Sequence, residues 1–247
     1  MTTPEMRFGV PMPGGTSVSH VKVYDSVGPD GLAGGSPHLH TVCTEAYLVI
    51  AGEGMVQTLS GEGYAETPLV AGTVAWFSPG TIHRLINLDG ALELYVVMSN
   101  AGLPEAGDLV LAFEPDVLAE RARYRGHADL PADGATTEGS GDQARARRDL
   151  AVVGFAHWKA AVEAHGGRDG LAPLHRAAAR LVGEQAQGWR PILDGDPTID
   201  LETSRAQVAA LADPATHAAA VDRLGASAIR SHSLHPNVRR MGCCGTL

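Results

Sequence analysis

The chain has 247 residues, and 19 Lys and Arg against 28 Asp and Glu give it a formal net charge of −9. That balance excludes the basic face a nucleic-acid binder needs to displace counterions, and it disfavours docking on anionic membranes. Hydrophobic residues make up 44%, enough for a packed core, but aromatics only 5%, so aliphatic side chains and alanine must fill it.

The longest apolar runs, Ala46 to Ala51 and Leu94 to Met98, are strand-length. They fall well short of the ~20 residues of a membrane helix. The first residues lack a charged-then-apolar leader pattern, and three cysteines form no disulfide framework. A reducing cytoplasm is therefore the expected compartment.

The first ~100 residues read as short strands between turn signals. Val21 to Tyr24 alternates as a half-buried strand does. Ala46 to Ala51 ends at Gly52-Glu53-Gly54, and Met55 to Leu59 ends at a turn over Ser60 to Gly63. Val70 to Phe77 is broken by Ala71-Gly72 and stops at Ser78-Pro79-Gly80. Ile82 to Leu88 stops at Asp89-Gly90, and Leu92 to Met98 closes the series. This rhythm points to a sandwich or closed barrel. From about Ala101 the texture changes to a connector with one short helix near Pro115 to Arg123. Residues 132–142 are small and polar, a linker composition. Beyond them, Val152, Phe155, Trp158 and Val162 form one apolar helical stripe. Leu171, Leu174, Ala178 and Leu181 form a second, after a break at Gly166-Gly167. Asp213-Pro214 is a helix start and Gly225 a stop. Three or four short helices are expected. The organisation reads as a barrel over 1–105 with its motif core at 34–98, a connector and linker over 106–142, and a helical region with a tail over 143–247.

Chemistry concentrates in Gly34-Gly35-Ser36-Pro37-His38-Leu39-His40, four further residues, Glu45, six more, and Gly52. Side chains at i and i+2 of a strand share a face, so His38 and His40 aim two imidazoles into one space. Glu45, at an odd offset, joins them only if Thr41 to Thr44 turns the chain. His83 opens a later strand and in a small barrel faces the same interior. Three imidazoles and one carboxylate suit a divalent transition metal: Fe first, with Mn, Ni, Co, Cu and Zn also able to occupy such a set.

These residues resemble the two motifs of the cupin superfamily. Gly34 or Gly35 through Gly52 fits the first. Gly72, Gly80, His83 and Asn87 keep the spacing of the second, with its proline displaced from position 78 to Pro79. The resemblance covers about residues 15–100. It implies a mainly β fold, a small antiparallel double-stranded β-helix (the cupin jelly-roll barrel) followed by an α-helical C-terminal region. It also implies a metal held by His38, His40, Glu45 and His83, and a homodimer is common among such proteins. No family is recognised in the helical region.

Three functions fit such a site. One is an Fe(II)-type dioxygenase or oxidoreductase in which Glu45 doubles as a base. The second is a redox-silent isomerase or cyclase acting on a sugar-phosphate or polyketide-like substrate. The third is a non-enzymatic small-molecule binder. In each the partner is a small molecule, with no nucleic acid and no membrane. Tyr47, Gln57, Trp76, Leu85 and Tyr95, all on barrel strands, are the expected substrate contacts. Arg84, beside His83, should point to the opposite face, where it pairs with an acid in the opposing sheet or at a dimer interface, or is solvated. His232, His235, Cys243 and Cys244 are expected in a mobile tail with a reactive vicinal thiol pair.

Overall fold

The computed structural model describes residues 9–130, 141–226, 229–231, 233–234 and 239–247. Two antiparallel sheets face each other. The first runs β1 (Val10–Met12), β2 (Thr16–Val23), β9 (Glu93–Met98), β4 (Glu45–Ala51), β7 (Val74–Phe77), with β11 (Gly245–Thr246) also pairing with β2. The second runs β10 (Leu109–Leu111), β3 (His38–His40), β8 (Ile82–Asn87), β5 (Glu53–Ser60), β6 (Gly63–Val70). Val21, Leu39, Tyr47, Val56, Leu85 and Leu94 fill the space between them. Burying each such aliphatic side chain contributes about 1.5–3 kcal/mol.

The residue patterns explain the local geometry. β9 alternates intermediate and buried along its length, because one face meets the core. β8 is buried throughout, because the loop preceding β3 lies on its outer face. There Arg84 donates to Gly35 O and forms an ion pair with Asp30. The Arg84 partner is thus an acid of that loop. Gly34 allows the close approach, since a Cβ there would sit 2.1 Å from the Leu85 carbonyl oxygen. Gly52 turns β4 into β5 at φ +75°, and a Cβ there would meet Ala91 at 2.3 Å. Asn87 closes the motif structurally: it donates to Val23 O and accepts from Leu92 N.

The break expected in Val70 to Phe77 at Ala71-Gly72 separates two strands on different sheets. Val70 ends β6, and β7 starts at Val74 after the Ala71-Gly72 turn. β6 itself, Gly63–Val70, went unanticipated. Its sequence is polar and holds Pro68, which an edge strand tolerates.

The helices are α1 (Pro115–Leu118), α2 (Arg121–Ala128), α3 (Gly141–His165), α4 (Gly167–Ala186), α5 (Arg190–Leu193), α6 (Asp196–Ala212) and α7 (His217–Gly225). The expectation of short helices fails for α3 and α4, of 25 and 20 residues. Their continuous apolar stripes pack on each other and on β5 and β6. Of the linker expected over 132–142, residues 132–140 lie outside the described residues, and Gly141 and Asp142 begin α3. Trp158 donates its indole N–H to Phe113 O, Lys159 sits over the Tyr64 ring, and His175 donates to Gly80 O. One continuous core runs from the barrel into α3 and α4. Among the described residues no helix is long and apolar enough to cross a membrane.

Candidate metal centre

β3 and β8 meet in register at His38 and His83, which sets the two rings side by side with centroids 4.2 Å apart. His40 follows two residues on, on the same face of β3. Glu45 begins β4 on the opposite sheet and faces the three imidazoles across the barrel. One ligand atom from each of the four residues lies within 4.8 Å of every other, and all four residues are at most 5% exposed. The sheets thus bring together all four residues that the motif spacing singled out. Phe77 stacks on His83 at 4.2 Å, and Tyr47 packs edge-on against Phe77, walling the cluster with rings.

Hydrogen bonding decides what the cluster can hold. His38 Nδ1 lies 2.8 Å from Ser36 O, and His83 Nδ1 lies 3.1 Å from Thr81 O. A carbonyl oxygen only accepts, so both Nδ1 atoms carry hydrogen, and the neutral tautomer this selects presents a bare Nε2 lone pair. Those two Nε2 atoms are 3.1 Å apart. Glu45 Oε2 is buried 3.1 Å from His40 Nε2 and 3.3 Å from His83 Nε2. The Nε2 lone pairs of His38 and His83 and the Glu45 carboxylate therefore converge with His40 Nε2, and a divalent cation that displaces the His40 proton would satisfy all four. His, His, His and Glu form the borderline donor set of a first-row transition metal.

Burial and the neighbouring His83 and His40 drive the His38 pKa well below the usual imidazole value, keeping it neutral. Burial also pulls on His40, but hydrogen bonds to Asp108 and Glu45 outweigh it and push its pKa up to about 9. Burial would raise the Glu45 pKa, yet the imidazoles of His83 and His40 hold the carboxyl well below its ordinary range.

Asp108 is the site residue that sequence reasoning missed. It sits at the end of an irregular helical turn, Pro104–Asp108, fully buried. Its Oδ2 accepts from His40 Nδ1 at 3.2 Å and from Cys43 N at 3.0 Å. Its Oδ1 accepts from Thr41 N at 2.9 Å, from Val42 N at 2.8 Å and from the Thr41 hydroxyl. One carboxylate thus shapes the Thr41 to Thr44 turn and fixes the His40 tautomer. Against the cost of burial, the bonds from His40 and Thr41 hold its pKa far below the usual carboxylate value. The only signal was a lone acid at the head of the apolar run Leu109 to Phe113, outside both motifs.

A cavity of about 590 Å³ opens from His40 and Glu45. Its walls come from β2, β9, segment 104–111, α2, Arg147, the end of α4 and the C-terminal tail. None of Tyr47, Gln57, Trp76, Leu85 and Tyr95 lines it. Tyr47 lies beside the cluster with its hydroxyl buried; Leu85 is core; Gln57 donates to Tyr64 and Glu66; Tyr95 meets the His20 ring; and Trp76 is 71% exposed. Strand alternation names a face, but the cavity lies at the barrel's end, where segments outside the motifs meet. Residues 239–247 are packed there through β11, with Cys243 and Cys244 on the cavity wall. Burial pushes both thiols up in pKa, which opposes the expectation of a mobile, reactive pair. His232 and His235 lie outside the described residues.

Residues 26–98 match the family model of the cupin domain. No curated protein matches the chain in a sequence comparison. Among solved structures it resembles the WlaRB TDP-quinovose 3,4-ketoisomerase from Campylobacter jejuni at 14% identity, over 33% of this chain and 60% of that one, with a TM-score of 0.28. It also resembles an uncharacterized conserved protein with a double-stranded beta-helix domain from Klebsiella pneumoniae, at 20% identity over 40% and 81% of the two chains, TM-score 0.28. A third is an oxalate oxidase in complex with the substrate analogue glycolate, at 20% identity over 40% and 57%, TM-score 0.25. The chain spans less than two thirds of the length of the ketoisomerase, at 60%.

Proposed function

We propose that the barrel, a cupin domain, makes this chain a metal-dependent oxidoreductase of the dioxygenase type, acting on a small organic molecule. The observation that carries the reading is the set of buried Nε2 atoms of His38 and His83 facing His40 Nε2 and Glu45 Oε2. These four residues would hold the ion. When bound, a divalent iron would supply positive charge for an anionic ligand and access to O₂ chemistry.

The chain's own residues set the conditions. Asp108 holds the His40 ring by its Nδ1–H, so that Nε2 faces the site. Phe77, Tyr47 and the buried β8 exclude water from the cluster's far side, which leaves the cavity as its approach. Glu45 is the acid that sequence reading puts forward as base, but its depressed pKa makes it a weak proton acceptor. Glu105 is better suited. It faces the same cavity, its Oε2 is buried without a partner, and burial raises its pKa. In this reading Glu105 Oε2 moves the substrate proton.

The aliphatic part of the wall, with Val21, Val96, Met98, Leu111 and Val182, suits a hydrocarbon body. We also propose a homodimer through the exposed face of β4 and β7, where Leu48, Ile50, Val74 and Trp76 cluster on an edge of the first sheet. The test of function is elemental analysis of freshly purified, untagged protein, then a screen of small organic acids under air and under argon. Bound iron with O₂-dependent consumption supports the reading. Tight zinc with turnover indifferent to O₂ refutes it.

A further inference from the structure

Arg147 lies on α3, outside the region matched by the cupin domain model, and reaches the cavity that serves His40 and Glu45. Its side chain is 8% exposed. Nη1 donates to Ala128 O at 3.2 Å and Nη2 to Gly242 O at 2.8 Å, while Nε has no partner. A guanidinium carries five N–H donors, so these two neutral carbonyls leave most of its capacity unused and its charge uncompensated. Among the described residues no carboxylate pairs with it. Arg121 and Arg125 on the same wall are instead paired with Glu184 and Asp129.

The groups that feel the charge of Arg147 are Tyr24, Tyr124, Cys243 and Cys244. Burial raises the pKa of each, so none supplies an anion at neutral pH. A buried, unpaired cation is costly, and a protein that keeps one beside a cavity has a site for a counter-ion brought from outside. The aliphatic residues of the same cavity, among them Val21, Met98 and Leu111, set the body of that ligand.

We propose that Arg147 is the carboxylate-binding residue of this cavity, and that the substrate class is a small organic acid. Its carboxylate pairs with the guanidinium, its apolar body lies along the aliphatic wall, and its far end carries the oxygen donors that face His40 and Glu45. The last element rests on the metal-dependent reading above; the carboxylate site does not.

The test uses metal-depleted, full-length protein and titration calorimetry with hexanoate and octanoate, with hexanamide and octanamide as uncharged counterparts, and with inorganic phosphate. The acids should bind at least tenfold more tightly than their amides and more tightly than phosphate. Arg147→Gln should remove the preference for acid over amide, and Arg147→Lys should keep part of it. A role confined to pinning the tail through Gly242 would weaken acid and amide alike. Equal binding of acid and amide by the wild type overturns the proposal without any variant, as does the absence of acid binding at 10 mM or an unchanged preference in Arg147→Gln. Phosphate binding as tight as octanoate overturns the organic-acid assignment. Metal titration of the same preparation separates the two readings. Acid preference without metal uptake sinks the metal reading alone, and metal uptake without acid preference sinks this inference alone.

Discussion

Asp108→Asn tests the claim that one carboxylate organises the metal centre. Asparagine fits the space but offers a single acceptor oxygen. In the better of its two orientations that oxygen stays with Thr41 N, Val42 N and the Thr41 hydroxyl, three bonds at Oδ1. The NH₂ then faces Cys43 N–H and His40 Nδ1–H, both donors in the wild type. His40 can meet it only by moving its hydrogen to Nε2, which removes a lone pair from the site. Loss of such a partner typically weakens metal affinity about 10–100-fold. The stranded Cys43 N–H and the lost charge-assisted bond together cost about 2–4 kcal/mol of stability, a sizeable part of the 5–15 kcal/mol typical of a domain. Chelator competition measures the affinity, and urea denaturation of the metal-free protein measures the stability. The reasoning is refuted if Asp108→Asn folds with near wild-type stability and holds metal as the parent does.

Other outcomes follow from the same geometry. His38→Ala and His83→Ala should each abolish metal retention in elemental analysis while circular dichroism shows the barrel intact; metal content equal to the parent in both would disprove the ligand set. Metal binding must displace a proton from His40, whose pKa stands at about 9. Apparent affinity should therefore climb roughly tenfold per pH unit from 6.5 toward 9 and then level, and a flat profile in chelator competition would contradict this. The stability of the metal-free protein carries the opposite sign. The raised His40 pKa contributes fully below the ordinary 6.5 and is lost as pH rises through 9, while the depressed Asp108 pKa contributes above 3.8 and is lost as pH falls below it. Gly245→Val should expel the tail, because even a Cβ there lies 1.9 Å from the Lys22 carbonyl oxygen. Cys243 and Cys244, slow toward a thiol reagent in the parent, should then react quickly. Trp76→Lys should shift a dimer to monomer in sedimentation at little cost to the melting temperature.

How much of this was legible in the sequence depended on the range of the interactions. The four candidate ligands were readable because strand periodicity and a fixed turn confine them: His38 and His40 share a face by spacing alone, and the turn before Glu45 had the length to reverse the chain. The stripes of α3 and α4 were readable because burial on one helix face repeats at 3.6 residues. β6 was not, since its edge position lets polar residues and Pro68 stand where a central strand would exclude them. Asp108 and Arg147 were invisible for another reason. Each acts at a sequence distance, on His40 68 residues away and on Gly242 95 residues away, and no local pattern records such a pairing.

The same distinction bears on how the parts of the site divide. The four candidate ligands all fall within the span 26–98 matched by the cupin domain model. Asp108, Glu105, Arg147 and the Cys243-Cys244 tail all fall outside it, yet they shape the cavity or the ring that faces it. Helices and barrel share one hydrophobic core, to which Cys243 and Cys244 of the tail also belong. Substituting the outer set should therefore change which molecule binds while leaving metal retention alone, except at Asp108, which touches both through His40. A variant combining Arg147→Gln with Glu105→Gln that keeps its metal but loses its acid preference would separate the two parts; joint loss of metal and ligand would show that they form a single unit.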